Sequence, residues 1–297
     1  MTARPLLAGL FAGLCLAASS AIADSLPQRW VSAGGSLSEW VVALGGESRL
    51  VGVDTTSLHP ASLKALPKIG YQRQLAAEGI LALKPDILLG SEEMGPPPVL
   101  QQLRAAGVRI ETLPAKADEQ TVQANLLRLG ELLGTPDKAG QVAAEFQARL
   151  AAQHAWVAKA QTAQAAPGVV LLVGNAGGSL LVAGQDTAGD WLIQRAGGRN
   201  LASHKGYKAL SGEALAALDP QVLLLADRSL EGDQAREALT RQNPGLAATR
   251  ALRDGRLLVV DPTLLVGGLG PRIPDALASL SRAFYPSVQA LNPEVRP

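Results

Sequence analysis

The sequence is poor in the residues that build disulfides, metal clusters and aromatic cores. Its 297 residues include one cysteine, three histidines, four tryptophans, three tyrosines and three phenylalanines. A single cysteine cannot form an internal disulfide, so stability must come from a hydrophobic core. Three scattered histidines are too few to predict a dedicated zinc or manganese site. With aromatic side chains this scarce, each one on a predicted loop is a candidate binding residue.

The first 23 residues have the composition of a cleavable secretory signal peptide. Arg4 precedes an apolar run from Leu6 to Ala18, and residues 21–23 (Ala-Ile-Ala) have the small-residue form of a cleavage site. Cys15 follows Leu14 inside the apolar run, whereas a lipidated cysteine would follow a small residue. No later apolar run is long enough to cross a bilayer. The sequence therefore predicts an exported protein, located in the periplasm and not lipidated.

Charge and motifs exclude several classes of function. Without the leader the chain carries 26 basic and 26 acidic residues, so neither a nucleic-acid footprint nor a polybasic membrane patch is predicted. The phosphate-loop, H-E-x-x-H and G-x-S-x-G motifs are absent, and the glycine-rich stretch 174–178 lacks the G-x-G-x-x-G spacing and predicts a turn. Since no nucleophile has a base at a recognisable spacing, the sequence does not predict an enzyme.

Residues 24–117 predict an α/β lobe, because short apolar strands alternate with helical segments and this favours a mostly parallel sheet covered on both faces. Ser36 to Glu39 have the spacing of a capping box and predict a helix start, with Gly45 and Gly46 ending that helix. The other predicted elements are strands at 50–53, 87–89 and 108–113 and helices at 75–83 and 99–106.

Residues 118–165 have helical periodicity throughout. Asp118 predicts the cap of a helix that stops at Gly134, and Thr135 with Pro136 predicts the start of a second helix. That second helix extends to about Ala163 and would be about 40 Å long at 1.5 Å per residue. The α/β alternation resumes in 166–297, with strands at 169–173, 222–226 and 257–260. The predicted fold class is two α/β lobes joined by a single long, rigid helix.

The chain contains an internal repeat. Residues 75–89 align without a gap with residues 210–224, a separation of 135 residues, and Gly70-Tyr71 has a counterpart in Gly206-Tyr207 that is one residue out of step. Any segment in which a helix, a proline and a strand follow one another has a similar sequence, so the alternative is that the two segments are alike without being a repeat. If the repeat is real, two similar lobes each bring a Gly-Tyr loop to a shared cleft.

Tyr71 is the main candidate binding residue of the first lobe. Pro67 and Gly70 keep its segment out of helix and strand, and in an extended segment Tyr71 and Arg73 point toward the same side. A free tyrosine loses its proton near about pH 10, a nearby guanidinium favours the phenolate, and tyrosinate is a known ligand of haem iron. The alternative is that Tyr71 only covers the edge of the core.

Five segments together resemble the periplasmic substrate-binding proteins of ABC importers in which one long helix joins two α/β lobes. They are 50–54 (LVGVD), 79–86 (GILALKPD), 103–108 (LRAAGV), 129–134 (LGELLG) and 254–260 (DGRLLVV). Within that family, Gly70-Tyr71-Gln72-Arg73-Gln74-Leu75 with Glu78-Gly79-Ile80 resembles the haem-binding branch. The resemblance implies the helical-backbone fold of class III binding proteins and ferric haem as the transported ligand.

The resemblance also implies roles for particular residues. Tyr71 would be the axial iron ligand, and Arg228 of the second lobe would hydrogen-bond its phenolate, although Arg228 alone could be a solvated charge after a strand. Tyr207 would form an aromatic wall against the porphyrin, and Arg73 would face a haem propionate. Some relatives use a histidine of the second lobe, which makes His204 a less favoured second ligand.

The partners implied by the resemblance are the inner-membrane permease and ATPase of an ABC importer, with an outer-membrane haem receptor involved only indirectly. Family members dock through one acidic residue on each lobe, and the candidates here are Glu92 or Glu93 and Glu231 or Asp233. Two alternatives stay open: a carrier of ferric siderophore or cobalamin, and, in a different class, an exported haem enzyme.

Overall fold

The computed structural model describes residues 26–174, 181–227 and 232–291, and the predicted signal peptide lies outside them. The first lobe contains a parallel sheet in the order β2-β1-β3-β4. Its elements are β1 (Trp30–Ala33), α1 (Gly35–Ala43), β2 (Leu50–Val53), α2 (Ala77–Ala82), β3 (Ile87–Ser91), α3 (Pro97–Ala105) and β4 (Arg109–Leu113). All residues of β1 and β3 are buried, as expected for central strands covered on both faces.

Two helices follow the first lobe, α4 (Glu119–Leu133) and α5 (Pro136–Ala163). The Asp118 carboxylate accepts a hydrogen bond from the Thr121 N–H, so the predicted cap of α4 is confirmed. Thr135 stands at the N-cap of α5 as predicted, but its hydroxyl makes no capping hydrogen bond. The 28 residues of α5 give a length of about 42 Å at 1.5 Å per residue. Among the described residues, no helix is both long and apolar enough to span a bilayer.

The second lobe contains a mixed sheet in the order β10-β9-β5-β6-β8, with β7 paired to β5. Strands β5, β9 and β10 are parallel, whereas β6 is antiparallel to both β5 and β8. The strands are β5 (Gly168–Val173), β6 (Leu181–Ala183), β7 (Arg199–Asn200), β8 (Tyr207–Ala209), β9 (Val222–Ala226) and β10 (Leu257–Val260). The helices are α6 (Ala188–Arg195), α7 (Gly212–Leu218), α8 (Gly232–Gln242), α9 (Arg250–Arg253), α10 (Ile273–Phe284) and α11 (Pro286–Leu291). The predicted fold class, two α/β lobes joined by one long helix, is confirmed.

One hydrophobic core extends from the first lobe along α5 into the second lobe. The buried residues of α5 recur every three or four positions and form a stripe along the helix: Ala139, Ala143, Phe146, Leu150, Gln153, Trp156, Val157 and Ala160. Phe146 meets Trp40 of α1 edge-to-face, with ring centroids 5.3 Å apart. Trp156 meets Tyr285, which follows α10, at 6.2 Å. Both lobes therefore pack against the same helix.

A polar cluster forms a second connection between the lobes. The Arg272 guanidinium donates to the buried Glu39 carboxylate of α1 at 2.8 Å and to Asp261 Oδ2 at 2.9 Å. His59 Nε2 lies 2.9 Å from the same Asp261 oxygen. Burial raises the pKa of Glu39, and the ion pair with Arg272 opposes that effect. The segment after β10 is thus joined to the first lobe by charged hydrogen bonds.

The predicted capping box at Ser36 and Glu39 is wrong. Helix α1 begins at Gly35 after Gly34, and no side chain caps it. The Ser36 hydroxyl donates instead to the Gly268 carbonyl at 2.9 Å, while Glu39 pairs with Arg272. Both side chains are used in contacts across more than 200 residues of sequence, which a local spacing rule does not detect.

The predicted helix at 75–83 is shorter in the structure, where α2 covers Ala77–Ala82. Leu75 lies before the helix, and its N–H donates to the Gly95 carbonyl at 2.9 Å. The helix at 99–106 begins earlier, at Pro97, since a proline fits the first turn of a helix. Tyr207, predicted on a loop, is the first residue of β8.

The Arg272 cluster predicts a large loss of stability for Arg272→Met, because the substitution leaves Glu39 buried and unpaired. Removing one partner of a buried ion pair costs roughly 3–5 kcal/mol, and the partial exposure of Arg272 reduces the expected loss to about 2–4 kcal/mol in the free energy of unfolding. Urea unfolding at 25 °C measures this quantity.

Lys205→Met is the matched control, since its ion pair with Asp186 is exposed on both sides and should contribute less than about 1 kcal/mol. The double variant Glu39→Gln/Arg272→Met should lose less stability than Arg272→Met alone. An Arg272→Met protein no less stable than the Lys205→Met protein would show that the cluster does not stabilise the fold.

Candidate ligand-binding cleft

A cavity of about 560 Å³ lies between the two lobes. Ligand pockets of proteins are typically about 300–1,000 Å³, so the cavity has the size of a site for an organic ligand. Its lining comes from both lobes and from the segment after β10: Arg73, Glu93, Ala115, Lys116, Ala117, Asp186, Thr187, Ala188, Asp190, Trp191, Gln194, Gly206, Tyr207, Leu265, Gly267 and Gly268. Gly267 of the lining has φ +79°, a backbone conformation in which any side chain would be strained.

Tyr71 lies on the loop that leads into α2, as predicted. Gly70 has φ +90°, which favours glycine, and the Gln74 N–H donates to the Tyr71 carbonyl at 2.8 Å to close a turn. The Tyr71 side chain is 38% exposed. It is not among the residues that line the cavity. It interacts electrostatically with Arg73, which does line the cavity.

Arg73 is paired with an acid that the sequence analysis assigned elsewhere. Its Nη2 lies 2.7 Å from Glu93 Oε1, and this hydrogen bond is the main reason why the pKa of Arg73 is raised. Glu93 Oε2 accepts a hydrogen bond from Gln72 Nε2 at 3.3 Å, and the Gln72 side chain is completely buried. The cation predicted beside Tyr71 is thus held by Glu93, a residue proposed from sequence as a docking acid.

Tyr207 faces this pair from the second lobe. The residue is 43% exposed, yet burial of the phenol group raises its pKa, and hydrogen bonding with Gly189 and Thr187 at the start of α6 acts in the opposite direction. Glu93 and Arg73 also influence the Tyr207 pKa, with opposite signs. Two of the predicted residues, Arg73 and Tyr207, therefore meet across the cavity.

Trp191 is a cavity residue that the sequence analysis missed. It lies on α6, is half-buried, and has the Arg195 guanidinium 5.8 Å from its ring centroid. Arg195 in turn pairs with Glu119 of α4 at 2.6 Å. The signal that could have found it is composition: Trp191 is one of four tryptophans, and it follows a helix cap at Thr187.

None of the remaining candidates that the structure describes lines the cavity. Arg228 and Glu231 lie outside the described residues. Residues 175–178 of the glycine-rich stretch, for which a turn was predicted, also lie outside them. His204 Nε2 lies 3.2 Å from the Val182 carbonyl oxygen. Glu92 accepts a hydrogen bond from the Ala115 N–H at 2.9 Å, and Asp233 is in the first turn of α8.

The cavity combines apolar surfaces with a few charged groups. The lining includes alanines of the first lobe, Trp191 and Tyr207 of the second, the cations Arg73 and Lys116, and the acids Glu93, Asp186 and Asp190. Rings favour offset stacking on flat apolar ligands, while guanidinium groups bind carboxylates. The cavity therefore offers aromatic rings and cations to a ligand, beside three acids of the protein.

Residues 31–264 match the family described as periplasmic binding protein. The chain is 69% identical in sequence to a periplasmic haem-binding protein from Pseudomonas aeruginosa, with a TM-score of 0.86 over 88% of this chain and 94% of that one. A periplasmic haem-binding protein from Roseiflexus sp. RS-1 is 38% identical over 88% of this chain and 99% of that one, with a TM-score of 0.80. A vitamin B12-binding protein from Pectobacterium atrosepticum is 32% identical over 134 residues, 45% of this chain and 48% of that protein. This chain belongs to the periplasmic binding protein family.

Proposed function

We propose that this protein captures ferric haem in the cleft between its lobes and delivers it to the permease and ATPase of an inner-membrane ABC importer. The observation that carries the proposal is the 69% identity, over 88% of the chain, to a periplasmic haem-binding protein. The cleft supports it, since it has aromatic side chains and a cation in one cavity. The role is binding and transfer, and no catalytic step is proposed.

Tyr71, two residues before the cleft residue Arg73, is proposed as the axial ligand of the ferric iron. Tyr71 is 38% exposed, and a phenolate is a strong ligand for a hard ferric ion. Arg228 is proposed to support the phenolate from the second lobe. His204 is not proposed as a ligand, because its Nε2 is within hydrogen-bonding distance of a backbone carbonyl.

The cellular setting follows from the same proposal. Residues 1–23 would be removed on export, leaving a protein in the periplasm that is not lipidated. Docking on the permease would use one acid on each lobe, from Glu92 or Glu93 and from Glu231 or Asp233, and these assignments stay predictions.

A cobalamin carrier is the second candidate, favoured only by the partial similarity to a vitamin B12-binding protein. The visible spectrum of the purified protein with its ligand distinguishes the two.

Tyr71→Phe and Tyr71→Ala should both lose the tyrosinate-to-iron charge-transfer band and bind hemin more than about 100-fold more weakly, since even removal of a residue that only supports a metal ligand costs about 10–100-fold. Hemin titration followed by visible absorption measures both effects. Tyr285→Phe is the control, because Tyr285 is buried against α5 and donates to the Gly197 carbonyl. If both Tyr71 variants keep the band and the affinity of the wild type, the assignment of the ligand is excluded.

Tyr207 tests the proposed aromatic wall. Tyr207→Phe keeps the ring and should change hemin affinity by less than about threefold, whereas Tyr207→Ala should weaken binding about 2–10-fold, the range for one aromatic pair. The iron spectrum should be unchanged in both variants, since the ring contacts the porphyrin and not the metal. Equal affinity of the alanine variant and the wild type would contradict the stacking role.

A further inference from the structure

Glu93 is held in a fixed position inside the cavity. It follows β3 by two residues, and its N–H donates to the Ser91 hydroxyl at 3.3 Å. Its two carboxylate oxygens have different partners, Gln72 Nε2 on one side and Arg73 Nη2 on the other. Gln72 is fully buried, so one side of the carboxylate is anchored to the body of the first lobe. Glu93 is therefore a built component of the cavity wall.

The pair changes the charge that the cleft offers to a ligand. Arg73 is 54% exposed and borders the cavity, where it would be available to an incoming carboxylate. With Glu93 at 2.7 Å, the pair has no net charge, and a ligand carboxylate would meet a carboxylate of the protein beside the guanidinium. Of the other charged residues in the lining, Lys116 is itself paired with Asp118 at 3.0 Å, and Asp186 and Asp190 are acids.

The pair is also placed where the ligand is expected to lie. Both residues border the same cavity as Tyr207, and they act on that phenol with opposite electrostatic signs. A flat ligand that rests on the Tyr207 ring therefore brings its edge carboxylates toward the first-lobe pair. An arginine has several donors in a planar fork, so the ligand and Glu93 compete for the same guanidinium.

We propose that Glu93 is a specificity-determining residue that competes with the carboxylates of the bound ligand for Arg73, weakens their contact and speeds release of the ligand. The proposal rests on the haem-carrier function proposed above. It assigns Glu93 to the cleft and not to permease docking. A carrier must release its cargo to its partner, and a competing carboxylate lowers affinity without removing the cation that orients the ligand.

The test compares the wild type with Glu93→Gln, Arg73→Gln and the double variant. Hemin affinity is measured by titration, and the release rate is measured by transfer to excess apomyoglobin. Glu93→Gln should bind hemin about 3–10-fold more tightly, mainly through slower release, because the guanidinium freed from Glu93 can pair fully with a ligand carboxylate at a solvated site. In the Arg73→Gln background the same substitution should give less than a twofold gain. Raising the salt concentration should reduce the gain in hemin affinity, because salt screens the interactions between exposed charges.

A second probe isolates the carboxylates. For hemin with both propionates esterified, Glu93→Gln and the wild type should have equal affinity. Glu78→Gln is the control, since it removes an acid of the same lobe that is exposed at the start of α2 and is not among the residues that line the cavity. It should bind hemin like the wild type. Glu93→Ala should also bind hemin more tightly than the wild type. This result would show that the gain in affinity does not come from the new glutamine side chain.

The outcomes separate this proposal from the proposed function. A wild-type protein without a spectral response to hemin contradicts haem binding as a whole. If the wild type binds hemin and Glu93→Gln binds equally or more weakly, only the competition is overturned, and weaker binding would mean that Glu93 orients Arg73 for the ligand. An equal gain in the presence and absence of Arg73, or with the esterified hemin, also overturns it.

Discussion

The structure depends on the apolar stripe of α5. Because its buried residues recur at helical spacing over 28 residues, one face of the helix contacts the first lobe near Phe146 and the second lobe near Trp156. The Arg272 cluster also joins the first lobe to the segment after β10, so the helix and this cluster both help to fix the relative position of the lobes. The cleft is the space that this arrangement leaves between them.

The two tyrosines of the internal repeat differ in their surroundings, which fits different roles. Gly70 and Gly206 both have positive φ, so the likeness seen in sequence extends to the backbone before each tyrosine. Tyr71 then lies on a turn, whereas Tyr207 starts an edge strand and faces the first turn of α6. In the proposed function the first tyrosine binds iron and the second contacts the porphyrin ring.

Most of the fold could be predicted from sequence because it is encoded locally. The bounds of α5 follow from Thr135, Pro136 and an unbroken helical period, and β9 and β10 follow from apolar runs after Pro220 and Gly255. The errors come from long-range contacts. Ser36 and Glu39 have a local capping pattern, but each bonds a residue more than 200 positions away.

The site was less predictable for the same reason. Tyr71, Arg73 and Tyr207 were found through loop position and family resemblance. Trp191 was missed because it lies on α6 and borders the cavity only when the two lobes are packed together. The Arg73–Glu93 pair was missed because its members lie on different loops of the first lobe and are brought together by tertiary packing, which no spacing rule detects.

The shared core has a mechanical consequence. Opening the cleft by swinging one lobe would pull Trp40 or Trp156 from its aromatic partner and admit water along α5, so free hinge motion is costly. We therefore expect the two lobes to move little relative to each other in the isolated protein. A partner that binds both lobes would then have to supply the free energy needed to widen the cleft.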